Sequence, residues 1–367
     1  MSRAVLAALA AAAVGALAPR AGAQQPAAGS ISTDAELRSP ATIPEVEPPP
    51  PPDAGTVLKP QAPKPDDGRI YGGTAVPPGF ALWQAEIYRQ ISADRWLQHE
   101  RAHPEDKRPK WELQHWGGGA LIAQDWVLTA AHCLLVDEEH SDPLVKPEFA
   151  ARRAEVTVSR RAQVSLARCA AAQLVIDSFR VRLGGLDITK DTSGSTYRID
   201  CVVVHPGWKP SDMYHDDIGL VHFVEERPDE PLPATQIRLH RGPSPPPGTA
   251  LTVMGWGKTH PVQGFAPSAV LLQASLDVED AADCSHRLSA GPEQVHEKVL
   301  CAGAPDRKSC LGDSGGPVVF TNGKPTQLVG VVSWGKTNCA GDAMPGVYTR
   351  VGAYTDWIED VLRAPRT

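Results

Sequence analysis

The sequence has few methionines, no long cluster of one charge and almost no long apolar runs. Its 367 residues include only 4 methionines, against 32 glycines and 35 prolines, and this composition favours the many turns of an all-β protein. The net charge is −7 and no lysine/arginine cluster is long, so nothing favours binding to nucleic acid. With 42% apolar residues, the chain can build a sizeable core in one large domain or two smaller ones.

The one long apolar run lies at the start of the chain. Met1-Ser2-Arg3 is short and basic, Ala4 to Ala18 carries no charge, and Ala21-Gly22-Ala23 is a small-x-small site. This pattern is typical of a secretory signal over residues 1–23. A membrane anchor is the alternative, but the run is shorter than the about 20 apolar residues that a span needs. The sequence therefore predicts an exported protein, secreted or periplasmic, without a membrane span after signal removal.

Residues 24–69 have almost no aromatic side chains and no helical or strand period. Five consecutive prolines, Pro48 to Pro52, are followed by Pro60, Pro63 and Pro65. Such a segment cannot bury apolar area and is predicted to be extended or disordered. Two interpretations stay open: a plain linker, or a pro-segment that is later cut away.

After Arg69, short apolar segments bounded by turn residues predict many strands. They are Ala85–Tyr88, Gly119–Ile122, Trp126–Thr129, Phe179–Leu183, Cys201–Val204, Ile218–Val224, Leu251–Met254, Val318–Phe320, Leu328–Val332 and Gly346–Tyr348. Many short strands without intervening helices indicate a sandwich or barrel.

Helical signals are few. At the C-terminus, Tyr354, Trp357, Ile358, Val361 and Leu362 share one helical face, and a weaker helix is predicted just before Cys284. The stretch Arg89 to Gln114 is interpreted as a long surface loop, and Leu134 to Ser178 as a second irregular insertion.

The segment Cys310 to Pro317 reads Cys-Leu-Gly-Asp-Ser-Gly-Gly-Pro, with one serine between glycines. Glycines let the backbone approach a reacting carbonyl and free N–H groups to point at it. Ser314 is therefore a candidate nucleophile, with the N–H groups of Gly312 and Ser314 as candidate oxyanion donors. For an isolated G-x-S-x-G, a glycine-rich turn with a capping serine is the alternative.

A serine nucleophile needs a base, and the base needs a group that orients it. His132 ends a strand-like apolar run in Thr129-Ala130-Ala131-His132-Cys133, and Asp217 leads into another apolar strand. A buried carboxylate at Asp217 would hold the imidazole and stabilise its charged form. Taken singly, His132 is as consistent with a structural histidine, and Asp217 with a turn residue.

Together these segments resemble the chymotrypsin/trypsin-like serine proteases. The resemblance rests on Leu128–Cys133, Asp217–Leu220, Gly312–Pro317 and Ser333–Gly335, with further landmarks at Ile70–Gly73, Gly255–Gly257 and Pro345–Tyr348. It covers the chain from Ile70 to the C-terminal helix, in the family's order of histidine, aspartate and serine. An α/β-hydrolase needs a histidine after the serine, and none follows Ser314.

The resemblance implies an all-β fold for residues 70–367: two six-stranded antiparallel β-barrels with a C-terminal α-helix. His132 and Asp217 would come from the first barrel and Ser314 from the second. Ser314 would attack the scissile carbonyl, His132 would transfer the proton, Asp217 would orient His132, and Gly312 and Ser314 would bind the oxyanion. No cofactor or metal is implied, since Gly185 stands where the calcium-binding form has a carboxylate.

The resemblance also implies activation by cleavage. Cutting Arg69–Ile70 would free an ammonium that inserts and pairs with Asp313, the residue before the nucleophile. Because a buried carboxylate is costly unless paired, the uncut chain is expected to be a weakly active zymogen.

Primary specificity departs from trypsin. In the family, the residue six before the nucleophile lies at the base of the specificity pocket, and Lys/Arg preference needs an aspartate there; here it is Lys308. An ammonium in a pocket walled by Gly335 and Gly346 predicts cleavage after Asp or Glu. The alternative is that Lys308 turns away or pairs with Asp306 or Asp342, which would give an apolar or relaxed preference. Ser333 and Trp334 complete the expected substrate-binding residues.

Seven cysteines in an exported chain favour disulfides over metal ligands, and the odd number leaves at least one thiol unpaired or pairing outside the chain. By resemblance, Cys284 pairs with Cys301 and Cys310 with Cys339. Gly117 stands where the family usually has the partner of Cys133. One pair is expected among Cys133, Cys169 and Cys201, and the sequence leaves open which.

The function predicted from these observations is a secreted, monomeric serine endopeptidase acting on proteins or peptides. If Lys308 excludes arginine from the pocket, a separate activating protease is required. The alternative is a catalytically silent homologue that acts as a binding module, although such proteins usually lose a member of the triad and this chain has all three. The two insertions either gate the cleft, bind a partner or are ordinary surface loops.

Overall fold

The computed structural model describes residues 70 and 72–364, with gaps at 135–178, 191–192, 210–211, 213, 225–231, 260–266, 292–293, 323–324 and 336–343. The predicted signal at 1–23, the segment 24–69 and almost all of the insertion at 134–178 lie outside these residues. So do Arg69, Cys169, Cys339 and Asp342. What was predicted for them stays a prediction.

Fourteen strands make up most of the regular structure among the described residues. They are β1 (Thr74–Ala75), β2 (Gln84–Arg89), β3 (His115–Ala123), β4 (Trp126–Thr129), β5 (Phe179–Leu183), β6 (Ser195–Val204), β7 (Gly219–Val224), β8 (Arg238–Leu239), β9 (Ala250–Gly255), β10 (Leu272–Val278), β11 (Val299–Gly303), β12 (Pro317–Phe320), β13 (Gln327–Gly335) and β14 (Gly346–Arg350).

Two antiparallel barrels result. The first closes in the order β2–β3–β4–β7–β6–β5. In the second, β9 pairs with both β10 and β12, which closes β9–β10–β11–β14–β13–β12; β1 adds to β10, and β8 runs parallel to β13. The expected pair of six-stranded barrels is confirmed.

Each barrel encloses its own apolar cluster. Leu121, Val127 and Phe223 are among the residues that fill the first, and Val253, Leu276 and Val329 among those that fill the second. Full burial of an aliphatic or aromatic side chain stabilises a fold by about 1.5–3 kcal/mol, so these interiors fix the strand register. The register in turn fixes which residues reach the barrel ends.

Four α-helices of the described ranges accompany the barrels: α1 (Ala93–Ala102), α2 (Lys110–Gln114), α3 (Ala281–Leu288) and α4 (Thr355–Arg363). The C-terminal helix is confirmed as α4, with Ile358 and Val361 buried. The weaker helix is α3, which contains Cys284 rather than preceding it. No helix in the described ranges is long and apolar enough to cross a membrane.

The interpretation of Arg89 to Gln114 as a surface loop is wrong, because α1 and α2 lie within it. Helix α1 begins after Ser92, whose Oγ accepts a hydrogen bond from the N–H of Arg95 at 3.3 Å. Its residues are good helix formers, but His99 is its only buried side chain. A helix that is polar on nearly all sides has no apolar period, so the pattern of apolar residues did not predict it.

The cysteines follow the expected pattern in part. Cys284 and Cys301 form a disulfide that joins α3 to β11, as predicted. Cys201 and Cys310 each take part in a separate disulfide. Cys133 is a free, buried thiol. Cys133 is therefore not a member of the one pair that was expected among Cys133, Cys169 and Cys201.

On the first barrel, His222 of β7 lies between two carboxylates. Its Nε2 is 3.1 Å from Asp125 Oδ2, and its Nδ1 contacts Asp200 Oδ1. Burial opposes the charged ring, but hydrogen bonds to Asp125 and Asp200 raise the pKa of His222 above its usual value. The charged imidazole is therefore favoured by folding.

Replacing His222 with Gln is expected to destabilise the chain more in acid than in alkali. The folded state binds this proton more tightly, so its stabilisation is complete below the unfolded pKa of about 6.5 and is lost as the pH rises through the raised folded value. Melting curves should show a wild-type advantage on the order of 1 kcal/mol at about pH 5 that shrinks by about pH 9. An advantage that does not change with pH would contradict the prediction.

Candidate active site

Strand pairing brings His132 and Asp217 together. His132 lies in a 3₁₀ turn, Ala131–Leu134, directly after β4, and Asp217 lies just before β7. Since β4 and β7 are antiparallel neighbours, with Thr129 opposite Gly219, the end of one strand meets the start of the other. Both residues therefore sit at the same end of the first barrel.

Asp217 is held by several donors. Its Oδ2 is 2.8 Å from His132 Nδ1, and its Oδ1 accepts the backbone N–H of His132 at 2.9 Å. Ser333 Oγ donates to Oδ2 at 2.5 Å, and Thr349 Oγ1 donates to the Asp217 carbonyl at 2.7 Å. The carboxyl group is only 1% exposed, so these bonds fix the imidazole with its Nδ1 proton toward Asp217.

The imidazole of His132 remains partly open, with 21% of its side chain exposed. Burial disfavours its charged form, while the neighbouring Cys133 and the Asp217 carboxylate raise its pKa well above the usual value. An imidazole oriented in this way and partly exposed suits a group that accepts a proton from a hydroxyl.

Ser314 reaches this region from the second barrel. The N–H of Gly118 in β3 donates to the Ser314 carbonyl at 2.8 Å, which ties the loop before β12 to the first barrel. A Cβ added to Gly117 would lie 2.7 Å from that carbonyl oxygen and 3.4 Å from Cys133 Sγ. Ser314 therefore lies beside the residue that follows His132.

No hydrogen bond joins Ser314 Oγ to His132 among the residues that the structure describes. The imidazole Nε2 instead has Cys133 Sγ at 3.6 Å. A serine–histidine contact is often long without substrate and tightens when substrate binds. The structure thus places His132, Asp217 and Ser314 in one region. Of the two hydrogen bonds that a triad needs, it shows the one between His132 and Asp217.

Three N–H groups of the loop from Cys310 to Gly316 donate no described hydrogen bond: those of Leu311, Gly312 and Ser314. The N–H of Asp313 donates to Cys310, that of Gly315 to Val332, and that of Gly316 to Asp313, at 2.8–2.9 Å. Within the described ranges, the N–H groups of Gly312 and Ser314 donate no hydrogen bond. Gly312 has φ +93°, a conformation that side chains rarely adopt, so glycine is required where this loop turns.

Asp313, between these two donors, is fully buried. Its carboxylate accepts hydrogen bonds from Gly257 N–H at 2.7 Å and Cys310 N–H at 2.8 Å. Burial raises the pKa of Asp313 to about 6, against the opposing effects of those two bonds and of the charge of His115. Ile70 is fully buried as well, and no described cation forms an ion pair with Asp313.

Lys308 lies six residues before Ser314 and is only 6% exposed. The next residue, Ser309, has its Oγ 3.1 Å from the hydroxyl of the buried Tyr348, and a Cβ on Gly346 would lie 3.2 Å from that Oγ. The segment carrying Lys308 thus runs beside Gly346, one of the expected pocket walls. Asp306, one suggested partner of Lys308, pairs with Arg307 Nε at 3.1 Å.

The remaining predicted substrate residues flank this segment. Ser333, Trp334 and Gly335 end β13, and the Trp334 ring meets Tyr214 edge-on with centroids 4.9 Å apart. The hydroxyl of Ser333 donates to Asp217, a contact that the sequence did not predict. That contact depends on β13 passing behind Asp217, and no local sequence pattern contains this information.

Comparison with protein families gives one match, to the family described as Trypsin, over residues 70–358. CLIP domain-containing serine protease B4 of Anopheles gambiae is 30% identical over 260 residues, which is 66% of this chain and 61% of that protein. Transmembrane protease serine 5 of Homo sapiens is 28% identical over 309 residues, 82% of this chain and 53% of that protein. The chain thus spans about half to three-fifths of the length of these relatives.

Among solved structures, neuropsin, described as a serine protease expressed in the limbic system of mouse brain, has the same fold. The TM-score is 0.54 at 22% identity, with 79% of this chain and 98% of that chain covered. This likeness concerns the architecture of the barrels.

Replacing Asp217 with Asn should lower kcat for peptide hydrolysis on the order of 10⁴-fold, because the amide stabilises the wrong tautomer of His132. Asp216→Asn is the matched control. Asp216 bonds Lys298 Nζ at 2.9 Å and the Tyr354 hydroxyl at 3.0 Å, and asparagine tolerates its φ of +53°. The control should stay within about tenfold of wild type, since it does not contact His132. Equal losses in the two variants would count against the assignment of Asp217.

Proposed function

Because the chain belongs to the trypsin family of serine proteases, we propose that it is an active serine endopeptidase. Ser314 Oγ attacks the scissile carbonyl carbon while His132 Nε2 takes the hydroxyl proton and passes it to the leaving amine. Water then hydrolyses the acyl-enzyme with His132 acting again as base. The observation that carries this proposal is the His132–Asp217 pair, in which the aspartate is buried and 21% of the His132 side chain is exposed.

The oxyanion is held in this proposal by the N–H groups of Gly312 and Ser314. Both groups lack an acceptor among the described residues, whereas the N–H groups of Asp313, Gly315 and Gly316 donate to Cys310, Val332 and Asp313. A site that holds donors ready without a partner suits a charge that appears only in the transition state.

A catalytically silent homologue is the second candidate. One observation favours it: Ser314 Oγ makes no described hydrogen bond to His132, and Cys133 Sγ lies near the same imidazole nitrogen. In that case the cleft would bind peptides or proteins without cleaving them.

We further propose that the protein is exported through the signal at residues 1–23 and activated by cleavage of Arg69–Ile70. The burial of both Ile70 and Asp313 supports the second step. A fully buried carboxylate with two backbone donors gains from an ammonium at its side, and burial, which raises the pKa of Asp313 to about 6, makes such a charge favourable.

A fluorophosphonate probe tests activity and activation together. After cleavage at Arg69–Ile70, we expect Ser314 to be labelled at least about 100-fold faster than in the uncut chain, because the new ammonium then pairs with Asp313 and holds the loop that carries the oxyanion donors. Arg69→Gln should prevent activation when the same protease is added, and Ser314→Ala should never label. A cut chain that stays unlabelled would support the silent homologue, and equal labelling of the Arg69→Gln chain would overturn the zymogen proposal.

For substrate choice, we propose that Lys308 favours Asp or Glu at the cleaved position. The lysine is buried beside Ser309 and Gly346, and an ammonium in such a site attracts a carboxylate and repels Lys or Arg. The proposal does not require an unpaired lysine, since an ammonium has three donors and a protein partner can leave others for the substrate.

Cleavage of a peptide library by the activated chain tests this proposal. Wild type should prefer Asp or Glu over Arg by at least about tenfold, which corresponds to about 1.4 kcal/mol. Lys308→Asp should move the preference toward Lys and Arg. Lys190→Asp makes the same charge change at an exposed lysine of the β5–β6 connection and should leave the preference unaltered. Strong wild-type cleavage after arginine would eliminate the acidic preference.

A further inference from the structure

His215 and His296 form a stacked pair that joins the two barrels, and the proposed mechanism does not use it. His215 lies in the connection from β6 to β7 of the first barrel, and His296 in the connection from α3 to β11 of the second. Their rings are parallel to within 4°, with centroids 4.7 Å apart. Two imidazoles this close repel each other when both are charged, so their protons decide whether the contact is stable.

His296 is bonded in a way that suits only the neutral ring. Its Nδ1 accepts the backbone N–H of Lys298 at 3.2 Å, and its Nε2 lies 3.4 Å from the carbonyl oxygen of Tyr214. Since a carbonyl only accepts, the proton of the neutral ring belongs on Nε2. A second proton would have to lie on Nδ1, where it would face the Lys298 N–H and break that bond.

His215 is the ring of the pair that can carry a charge. Its Nδ1 is 2.8 Å from Asp212 Oδ2, and Asp212 Oδ1 also accepts the backbone N–H of Tyr214 at 3.3 Å. The bond from His215 lowers the pKa of Asp212, so that carboxyl stays ionised and compensates a charged His215. The pair therefore tolerates one positive charge, on His215, and is destabilised by two.

Most of the charged groups around His296 are positive. His215 and Asp216 act on it from the β6–β7 connection, and Lys298 from its own connection. From β14, Arg350 Nε donates to the carbonyl of the residue after His296 at 2.8 Å. The carboxylate among these groups, Asp216, already pairs with Lys298 Nζ at 2.9 Å. A charge on His296 therefore gains little from its surroundings.

These surroundings lower the pKa of His296. Burial is the largest cause, and the charges of His215 and Lys298 add to it, against the bond to Tyr214 and the charge of Asp216. If the two rings separated, His296 would return to its usual pKa of about 6.5. The stacked arrangement is therefore favoured above about pH 6.5 and weakens as the pH falls through the lowered value.

The stacked pair fixes Tyr214 beside the predicted substrate-binding residues. The Tyr214 ring meets the ring of Trp334 edge-on, with centroids 4.9 Å apart, and Trp334 is one of those residues. Tyr214 is held there through its carbonyl, which contacts His296, and through its N–H, which donates to Asp212. Separation of the two histidines would remove the contact that comes from the second barrel.

A neighbouring contact between the barrels resists acid. Asp216 bonds Lys298 Nζ at 2.9 Å and the Tyr354 hydroxyl at 3.0 Å. Burial opposes the charged form of Asp216, but the bond from Lys298 holds its pKa below the usual value. The residue next to Asp217 therefore stays attached to the second barrel when the histidines separate, and the effect of acid is confined to Tyr214.

We propose that the His215–His296 pair is a pH-sensitive contact between the barrels, which positions Tyr214 for substrate binding at neutral pH and releases it in acid. This inference rests on the proposed protease function. It assigns to the pair a change in the affinity for substrate, whereas protonation of His132 changes the rate of the chemical step.

Peptide binding to the cut Ser314→Ala chain measures this release without catalysis. The probe is the best peptide of the library assay, carrying a fluorophore that does not titrate, and fluorescence anisotropy gives its Kd. Between about pH 7.5 and about pH 5, we expect the Kd to rise about tenfold, because Tyr214 is released in most molecules. Protonation of His132 or of the peptide affects every variant alike and cancels when variants are compared.

His296→Gln, in the same background, separates the charge from the bonds. A glutamine amide can donate to the Tyr214 carbonyl and accept the Lys298 N–H, but it does not titrate. The Kd of this variant should change less than about threefold between the two pH values, whereas His296→Ala should bind about tenfold more weakly at both. A tenfold rise that persists in His296→Gln, or unaltered neutral binding by His296→Ala, would overturn the proposal.

His222→Gln is the matched control. It also removes a histidine bonded to carboxylates, but its partners Asp125 and Asp200 lie between β3 and β4 and in β6, outside the two connections. It should keep the about tenfold rise of Kd in acid. Loss of that rise in His222→Gln would show that the response does not come from the stacked pair, which would contradict the proposal.

Nitrogen NMR of the histidine-labelled chain tests the pair without a substrate. His296, assigned by the loss of its signals in His296→Gln, should carry its proton on Nε2 at neutral pH. In His215→Gln, the pKa of His296 should rise by about 0.5 or more, because the facing charge is absent. A neutral ring protonated on Nδ1, or a pKa that His215→Gln leaves unaltered, would overturn the pH-sensitive contact.

The two kinds of measurement separate this proposal from the protease function. If the cut chain cleaves no peptide, the protease proposal fails, while the NMR titration still decides whether the pair responds to acid. If the chain is an active protease, His296→Gln should leave kcat at about pH 7.5 within about twofold of wild type, because Asp217 and His132 are not displaced.

Discussion

Carboxylates buried away from water must be paired, and three of them organise the region where the two barrels meet. Asp217, Asp313 and Glu86 are each almost completely inaccessible, so each is costly unless donors surround it. Asp217 takes its donors from His132 and Ser333, Asp313 from backbone N–H groups, and Glu86 from His115. The bond from Ser333 of β13 to Asp217 joins the two barrels, and His115, which bonds Glu86, also contacts the Gly312 carbonyl at 3.0 Å, so two of these three groups help to fix how the barrels meet.

Close backbone approach makes that arrangement feasible. A Cβ on Gly118 would lie 2.8 Å from the Cα of Gly316, and one on Gly315 would lie 2.1 Å from Thr129 Oγ1. Glycine on both sides therefore lets β3 touch the loop before β12, and the bond from Gly118 to Ser314 forms across the contact. Side chains at these positions would separate the proposed nucleophile from His132, which explains why the motif needs its glycines even where no substrate group is near.

The sequence predicted those parts of the molecule whose signal is local. The motifs around His132, Asp217 and Ser314 identified the candidate residues, and alternating apolar segments identified ten of the strands. Strand β10 was missed although Leu272, Ala274, Leu276 and Val278 alternate with more exposed residues, a signal that a count of period-two positions would have found. Helix α1 carries almost no apolar period, and the roles of Ser333, Glu86 and His115 depend on strand register and on the contact between barrels. Strand register and the contact between barrels cannot be read from a local sequence pattern.

Two contacts can fix the loop from Cys310 to Gly316, one at Gly312 and one at Asp313, and they differ in when they can form. The imidazole of His115, in the first barrel, contacts the Gly312 carbonyl, and this contact is present in the uncut chain. Asp313, the next residue, is already bonded to two backbone donors but forms no ion pair with a described residue, and burial raises its pKa to about 6. If cleavage supplies an ammonium to Asp313, that ion pair fixes the loop in addition to the contact between His115 and Gly312. The oxyanion donors between them would then be constrained from both sides, which couples activation to geometry without a large rearrangement of either barrel.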